Sequence, residues 1–398
     1  MPETHPLPLF PVSVVGSWPR PASLVRALRR WEAGEIPESE FETAADAAVL
    51  EALRAQEEAG VDVVSDGEQR RDNFYSFLAA KLEGMQLMTL GEIMDHAEDK
   101  TSFDRTLRSL DAPSFAIKSP TVTGRLRARS SLAADATAFL RAHTRKPIKV
   151  ALPGPYLLAR ATWVAGVSDG AYPTREALAA DVVAILRDEI ARLVAAGADF
   201  IQLDEPVLTD VVFRPRVSVR SFMCAPLAAQ ESDAGEELRW AVELVNAVVA
   251  GAGVRTGLHM CRGNWTRNED VLLAGSYAPL LGALEAMAVD QWVLEFATPR
   301  AGDLDVFSGH VGHEIGLGVV NPRIDAVETP EAIAARVREA LRYFDPARVW
   351  LNPDCGFGTF AERPVSDGTI AAAKLRAMSA AAAMLRPAES AVTQMTYR

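Results

Sequence analysis

Short runs rich in β-branched residues recur along the chain, each closing on small or polar residues, with longer Ala-, Leu-, Arg- and Glu-rich stretches of helical spacing between them. Eight runs predict strands: Val12–Val15, Val61–Ser65, Ile148–Leu152, Phe200–Leu203, Arg255–His259, Trp292–Phe296, Ile315–Val320 and Val349–Asn352. Helices are predicted over Glu38–Ala59, Arg175–Ala196, Glu236–Ala252, Pro330–Tyr343 and Asp367–Leu385, with Gly60 and Gly197 as stops. Eight alternations of strand and helix predict the α/β class and a closed (β/α)8 TIM barrel. The alternative is an open doubly wound sheet. It is disfavoured because Val15-Gly16-Ser17-Trp18-Pro19-Arg20, after the first strand, is not a dinucleotide-binding fingerprint.

One spacing is abnormal. From Asp66 to Pro147 the chain spends about 80 residues between the second and third strands, far more than a crossover needs, so an insertion is expected at about 73–147. Within it, Asn73–Met88 reads as helical, and Phe115–Arg129, with Ser119-Pro120 and Thr123-Gly124, reads as a hairpin. No repeat of 20–50 residues and no low-complexity linker divides the rest, so residues 1–398 are expected to form one elaborated barrel domain.

Composition narrows the function. A chain that is 49% hydrophobic and 24% charged has the balance of a protein with a large core, which excludes wholesale disorder. The net charge of −12, from 41 basic and 53 acidic residues, repels phosphate backbones and anionic lipid, so neither nucleic acid nor membrane is an expected partner. No apolar run approaches the roughly 20 residues of a membrane span. Met1–Val15 lacks Lys and Arg and is broken by four prolines, which is unlike a signal peptide, and a cytoplasmic protein is expected. Cys224, Cys261 and Cys355 are too few for a disulfide framework and direct attention to metal or thiol chemistry.

In a parallel barrel, chemistry gathers where strands end. The ends here are Gly16-Ser17, Asp66-Gly67-Glu68, Asp204-Glu205-Pro206, His259-Met260-Cys261, Glu295 and Asp354-Cys355. Spaced by two, His259 and Cys261 point to one side of a strand and can share an ion; Glu295 and Cys355 would complete a tetrahedral set that suits zinc better than magnesium or calcium. The competing reading makes them ordinary buried cysteines and a satisfied core histidine. Cys224 has no ligand-type neighbour at useful spacing and is read as structural, while His310 and His313 precede the seventh strand and belong to the opposite face. Asp204 and Glu205 end a buried apolar strand, where a charge needs a partner or a catalytic task. Asp66 and Glu68 either pair with Arg70 or Arg71 or bind a substrate amino group. Ser17 either presents backbone N–H groups to a carboxylate or makes a plain turn.

Taken together, Val15-Gly16-Ser17-Trp18-Pro19, Asp66-Gly67-Glu68-Gln69-Arg70-Arg71-Asp72, Leu203-Asp204-Glu205-Pro206, Gly257-Leu258-His259-Met260-Cys261, Glu295 and Asn352-Pro353-Asp354-Cys355-Gly356 resemble the catalytic half of the cobalamin-independent methionine synthase family, within the superfamily that includes uroporphyrinogen decarboxylase and the epoxyalkane:coenzyme M transferase. The resemblance runs almost end to end. It implies a zinc site of His259, Cys261, Glu295 and Cys355 that activates an incoming thiol for alkylation, and an aminothiol substrate such as homocysteine held by Ser17, Glu68 and Asp204. Asp204 and Glu205 are the candidates for catalytic carboxylates. One departure stands out. The loop after the seventh strand, where the family commonly has an Asp and a His for protonating the leaving amine, reads Val319-Val320-Asn321-Pro322-Arg323. The alkyl donor is therefore a methyl-folate or, needing no such acid, a methyl-corrinoid, and an accessory donor protein is one route for its delivery. Two other readings are a zinc enzyme working on another thiol, by epoxide opening or thioether cleavage, and a non-catalytic barrel with structural zinc. A metal-free decarboxylase leaves His259, Cys261 and Cys355 unexplained.

Overall fold

A computed structural model describes residues 7–96, 118–213, 233–310 and 312–386. Six parallel strands lie side by side in chain order: β3 (Lys149–Pro153), β4 (Phe200–Asp204), β5 (Arg255–Met260), β6 (Gln291–Leu294), β7 (Glu314–Val320) and β8 (Val349–Pro353). The other two barrel positions are held by single parallel bridges, Val12 with Leu351, Ser13 with Val63, and Val64 with Ile148, which carry the sheet round from β8 back to β3. The fold is the (β/α)8 TIM type. All eight predicted strand positions are occupied.

The first two positions are short because side chains take over their ladder bonds. The buried Gln56 amide donates to the Ser65 carbonyl at 3.0 Å and accepts from the Ser65 N–H at 3.0 Å. Asp62 accepts from the Val12 N–H (2.9 Å) and from Arg386 (2.8 Å), tying the first segment, the second segment and the end of the last helix together. From β3, Lys149 reaches inside the barrel to the Val14 carbonyl at 2.9 Å.

The covering helices follow the sequence pattern. Helix Glu38–Glu58 buries Ala45, Ala48, Val49, Ala52 and Leu53 and stops at Gly60, whose φ of +81° few other residues adopt without strain. Thr174 caps helix Arg175–Ala195 through its hydroxyl, as Thr329 caps Pro330–Ala340 and Asp367 caps Gly368–Leu385. Among the described residues no helix is long and apolar enough to cross a membrane.

The insertion differs from its sequence reading. The expected helix over Asn73–Met88 is reduced to Leu78–Lys81, and the chain continues as strand β1 (Leu82–Thr89). Its antiparallel partner is β2 (Lys118–Ala128), so the expected Phe115–Arg129 hairpin contributes one strand instead of two; residues 115–117 lie outside the described set. The physical reason is Gly84. It takes φ +77° at a bulge in the pairing, and any side chain there would strike the Arg125 carbonyl. Leu, Met, Glu and Gln favour a helix locally, but pairing with β2 overrides that preference.

Lys149 offers a test of the interior. Burial pushes its pKa down to about 7, with Asp204 pulling the other way. The folded protein thus holds this proton more weakly than the unfolded chain, whose lysine titrates near 10.5. Between those values the unfolded state binds more protons, so this group makes stability rise with pH across that window. Lys149→Met is expected to flatten that slope in urea denaturation followed from pH 7 to 10; an unchanged slope would show that Lys149 stays charged in the fold.

Candidate metal centre and active site

The parallel register sets the site. Asp204 pairs with His259, and His259 with Val293, so the ends of β4, β5 and β6 stand level at one mouth. His259 is buried, and its Nδ1 lies 2.9 Å from the Val293 carbonyl oxygen, which can only accept; Nδ1 therefore carries the hydrogen. Nε2 is buried without a partner. Cys261 follows just beyond β5 and Cys355 just beyond β8. One ligand atom from each of His259, Cys261 and Cys355 lies within 4.8 Å of the others.

Electrostatics agrees with a ligand role. The Cys355 thiol, donating toward Cys261, holds the Cys261 pKa well below the usual range, with His259 adding to the effect against burial. Cys355 is pushed well above it by the same bond and by burial. Burial opposes charge on His259, yet the adjacent Cys261 raises its pKa to about 9. An imidazole nitrogen and two sulfurs, one atom orphaned, form a donor set that could hold a borderline-soft metal.

Glu295 is not brought into this group. It is wholly buried just past β6, and both its oxygens are engaged: Oε1 accepts from the Arg262 backbone N–H (3.0 Å) and Nη1 (3.1 Å), and Oε2 from Arg300 Nη2 (3.1 Å).

The other predicted residues separate into two sets. Glu68, Asp204 and Ser17 border the mouth. Glu68 is buried at φ +53°, neither of its oxygens has a hydrogen-bond partner, and Arg71 is 3.6 Å away. Burial pushes its pKa up to about 7, Arg71 opposing and Asp204 reinforcing. Asp204 accepts from Gln202 at 2.7 Å, and burial raises its pKa. Ser17 packs against the Cys355 loop through Gly356 and Gly358, and the Gly358 N–H donates to its carbonyl at 2.9 Å. Arg70 turns away to Glu42 and Asp46, so Arg71 alone of the two faces Glu68.

Glu205, Asn321 and Arg323 are engaged elsewhere. The Glu205 carboxylate accepts from the Tyr156 and Leu157 N–H groups (2.7 and 2.8 Å), capping helix Pro155–Thr162; burial pushes its pKa up to about 8. Asn321 and Arg323 both donate to Glu269 (2.6 and 3.0 Å), and Arg323 also donates to Asn264 (3.1 Å), locking the loops after β5 and β7 together. At the opposite end, His310 and His313 stack on Trp292 with ring centres 4.3 and 4.4 Å away, so they form part of an aromatic cluster. Cys224 lies outside the described residues.

Sequence reasoning missed Arg262 and Arg300, while Arg71 is the partner it offered for Glu68. Arg262 directly follows Cys261 and so was bound to sit at the mouth; its basic charge beside Glu295 was the available signal.

Fold and site together define a class, a (β/α)8 barrel enzyme with a metal-competent imidazole and thiol group at the carboxyl ends of its strands. The family described as cobalamin-independent synthase, catalytic domain, matches residues 10–384. A methionine synthase of Thermococcus kodakarensis is 30% identical over 351 residues, covering 88% of this chain and 87% of its own; one of Pyrococcus abyssi is 29% identical over the same lengths. A B12-independent methionine synthase from Shewanella, solved with selenomethionine, shares the fold with a TM-score of 0.70 at 24% identity, over 95% of this chain and 98% of that one. The chain belongs to the cobalamin-independent methionine synthase family and is a methyltransferase.

Glu205 tests the division between the two sets. Glu205→Ala is expected to lower the unfolding free energy by about 1–3 kcal/mol, the cost of losing a cap and leaving buried N–H groups unpaired, as measured by urea denaturation. Undiminished stability would return Glu205 to the list of reactive carboxylates.

Proposed function

We propose that this enzyme methylates the sulfur of homocysteine, with a zinc ion held by His259, Cys261 and Cys355. The observation that carries the reading is the group itself: three soft or borderline donors converging within 4.8 Å, with His259 Nε2 buried and unpartnered. When bound, zinc supplies acidity, converting a thiol that is only a few per cent ionised at neutral pH into a nucleophile. The chain's own residues do the rest. Glu68 and Asp204 are buried acids at the mouth, suited to an α-ammonium group, and the Ser17 backbone is suited to the α-carboxylate. The two thiolates offset the charge of the dication, which keeps the bound substrate sulfur electron-rich. The reduced cysteines this requires suit a cytoplasmic setting.

The donor reading follows from the loop after β7. Positions 319–323 contain no acid or imidazole; Asn321 and Arg323 donate to Glu269 and Asn264, and Arg323 also faces Asp354 at 3.7 Å. That supports a methyl-corrinoid, whose departing cobalt needs no proton, over a methyl-folate, whose leaving nitrogen does.

Cys261→Ser and Cys355→Ser are each expected to weaken zinc binding by more than the roughly 100-fold reached by changes to groups that do not touch a metal, and to abolish homocysteine methylation with it. Zinc returned to chelator-stripped wild type restores turnover. Retained methylation in zinc-free protein would refute the proposal. Zinc binding with no response to homocysteine, but turnover with another thiol, epoxide or thioether, would reassign the substrate, and zinc that responds to no thiol would make the site structural.

A further inference from the structure

Resting on the reading that Glu68 receives the α-ammonium group of homocysteine, we infer that Arg20 and Asp66 are positioning residues for that substrate: they clamp the backbone on either side of Glu68 and hold it in a left-handed conformation that leaves its carboxylate free of hydrogen bonds at the mouth.

The conformation is costly. Glu68 has φ +53°, and among the described non-glycine residues only Phe10 and Thr359 share a positive φ. The chain enters it through Gly67, itself at φ +63°, where a side-chain carbon would lie 2.7 Å from Trp18 Cβ. Bonds to both sides of the residue keep it there. Asp66 Oδ1 accepts from the Glu68 N–H at 2.8 Å, and the Glu68 carbonyl accepts from Arg20 Nη2 at 2.9 Å and from the Arg71 N–H at 3.0 Å. The backbone is thus fixed without help from the side chain. Both carboxylate oxygens are buried and make no hydrogen bond, with Arg71 3.6 Å away, so they are poised for a charged donor such as an ammonium group.

Arg20 is more than a structural tie. It is 7% exposed, its Nη2 donates to the Glu68 carbonyl, and its Nε and Nη1 are buried without hydrogen-bond partners. A neutral amide could make the same contact without burying a cation, whereas the charge of Arg20 faces Glu68, Asp72 and Asp66. Arg20 also belongs to the loop of Ser17, while Glu68 follows the second barrel segment. The Trp18 N–H donates to the Gly67 carbonyl at 2.9 Å, and the Gln69 amide donates to the Trp18 and Gly67 carbonyls at 3.0 and 3.1 Å, so the two loops are laced together. The span between the Ser17 backbone, suited to an α-carboxylate, and the Glu68 carboxylate is thereby fixed. Such a clamp selects α-amino acids over thiols that carry a carboxylate alone.

The test uses the zinc-loaded full chain and calorimetric titration with two ligands, L-homocysteine and its analogue lacking the amino group. Arg20→Met is expected to weaken homocysteine binding roughly 10-fold or more while changing that of the desamino analogue by less than about 2-fold. Asp66→Ala, at a half-buried position, frees the other end of the clamp and is expected to show the same selective loss. In a Glu68→Ala background either substitution should change homocysteine binding by less than about 2-fold. Folded variants that bind both ligands like wild type, that lose both equally, or whose loss persists undiminished in the Glu68→Ala background would overturn the inference while leaving the substrate reading in place. Should Arg20→Met fail to fold, Asp66→Ala decides by the same criteria. Wild type that binds the desamino analogue as tightly as homocysteine would overturn both.

Discussion

The hydrogen bond between His259 and the Val293 carbonyl determines what the mouth of this barrel can be. It exists because β5 and β6 run parallel in a register that sets His259 beside Val293. A carbonyl oxygen cannot donate, so the imidazole is fixed in the tautomer that turns its other nitrogen, lone pair outward, toward the two cysteines. A slip of one residue would turn His259 and Cys261 to the opposite face of β5 and lose the ligand pair altogether. Backbone geometry, one strand away from the reacting atoms, thus fixes the electronic state of a side chain.

Around that bond the protein keeps an unusual density of buried charge. Glu295, Asp354, Arg262 and Arg323 are all inaccessible, and Arg300 nearly so. Asp354 is held by the Phe296 and Ala297 N–H groups at 2.9 and 2.8 Å, beside Gly318, where any side-chain carbon would collide with it. The acids and arginines interlock: Glu295 is shared by Arg262 and Arg300, and Arg323 faces both Glu269 and Asp354. This network stiffens the loops after β5, β6, β7 and β8 without closing the opening beside Cys355, which stays partly exposed. On the other side, Glu68 keeps both carboxylate oxygens without hydrogen bonds. The mouth is rigid where charge is spent and unsatisfied where a ligand would be received.

Much of this could be read from the chain alone, and the failures have identifiable causes. Strand positions were legible because buried parallel strands must be continuously apolar and must end in polar loops, a pattern that survives without knowledge of partners. His259, Cys261 and Cys355 were legible for the same reason, since strand ends share one face of a barrel. The β1 segment was not, because Leu82–Thr89 has helical composition and its strand identity comes from a partner about 35 residues away. Glu205 was misleading. It neighbours Asp204 in sequence, but alternation along a strand sends adjacent side chains to opposite sides, and Glu205 meets a helix terminus instead of the mouth. The engagement of Glu295 was invisible as well, since Arg300 and Arg262 reach it from two separate loops.

The clasp at Asp62 bears on the order in which the molecule can be made. One carboxylate holds the first barrel segment through Val12 and the end of the final helix through Arg386, at opposite ends of the described chain. During synthesis the early segments emerge hundreds of residues before β8, so the circle stays broken while β3 to β7 accumulate. A nascent chain therefore carries His259 and Cys261 for some time before Cys355 exists to join them. The metal-competent trio is therefore completed only once β8 and the loop after it have been made.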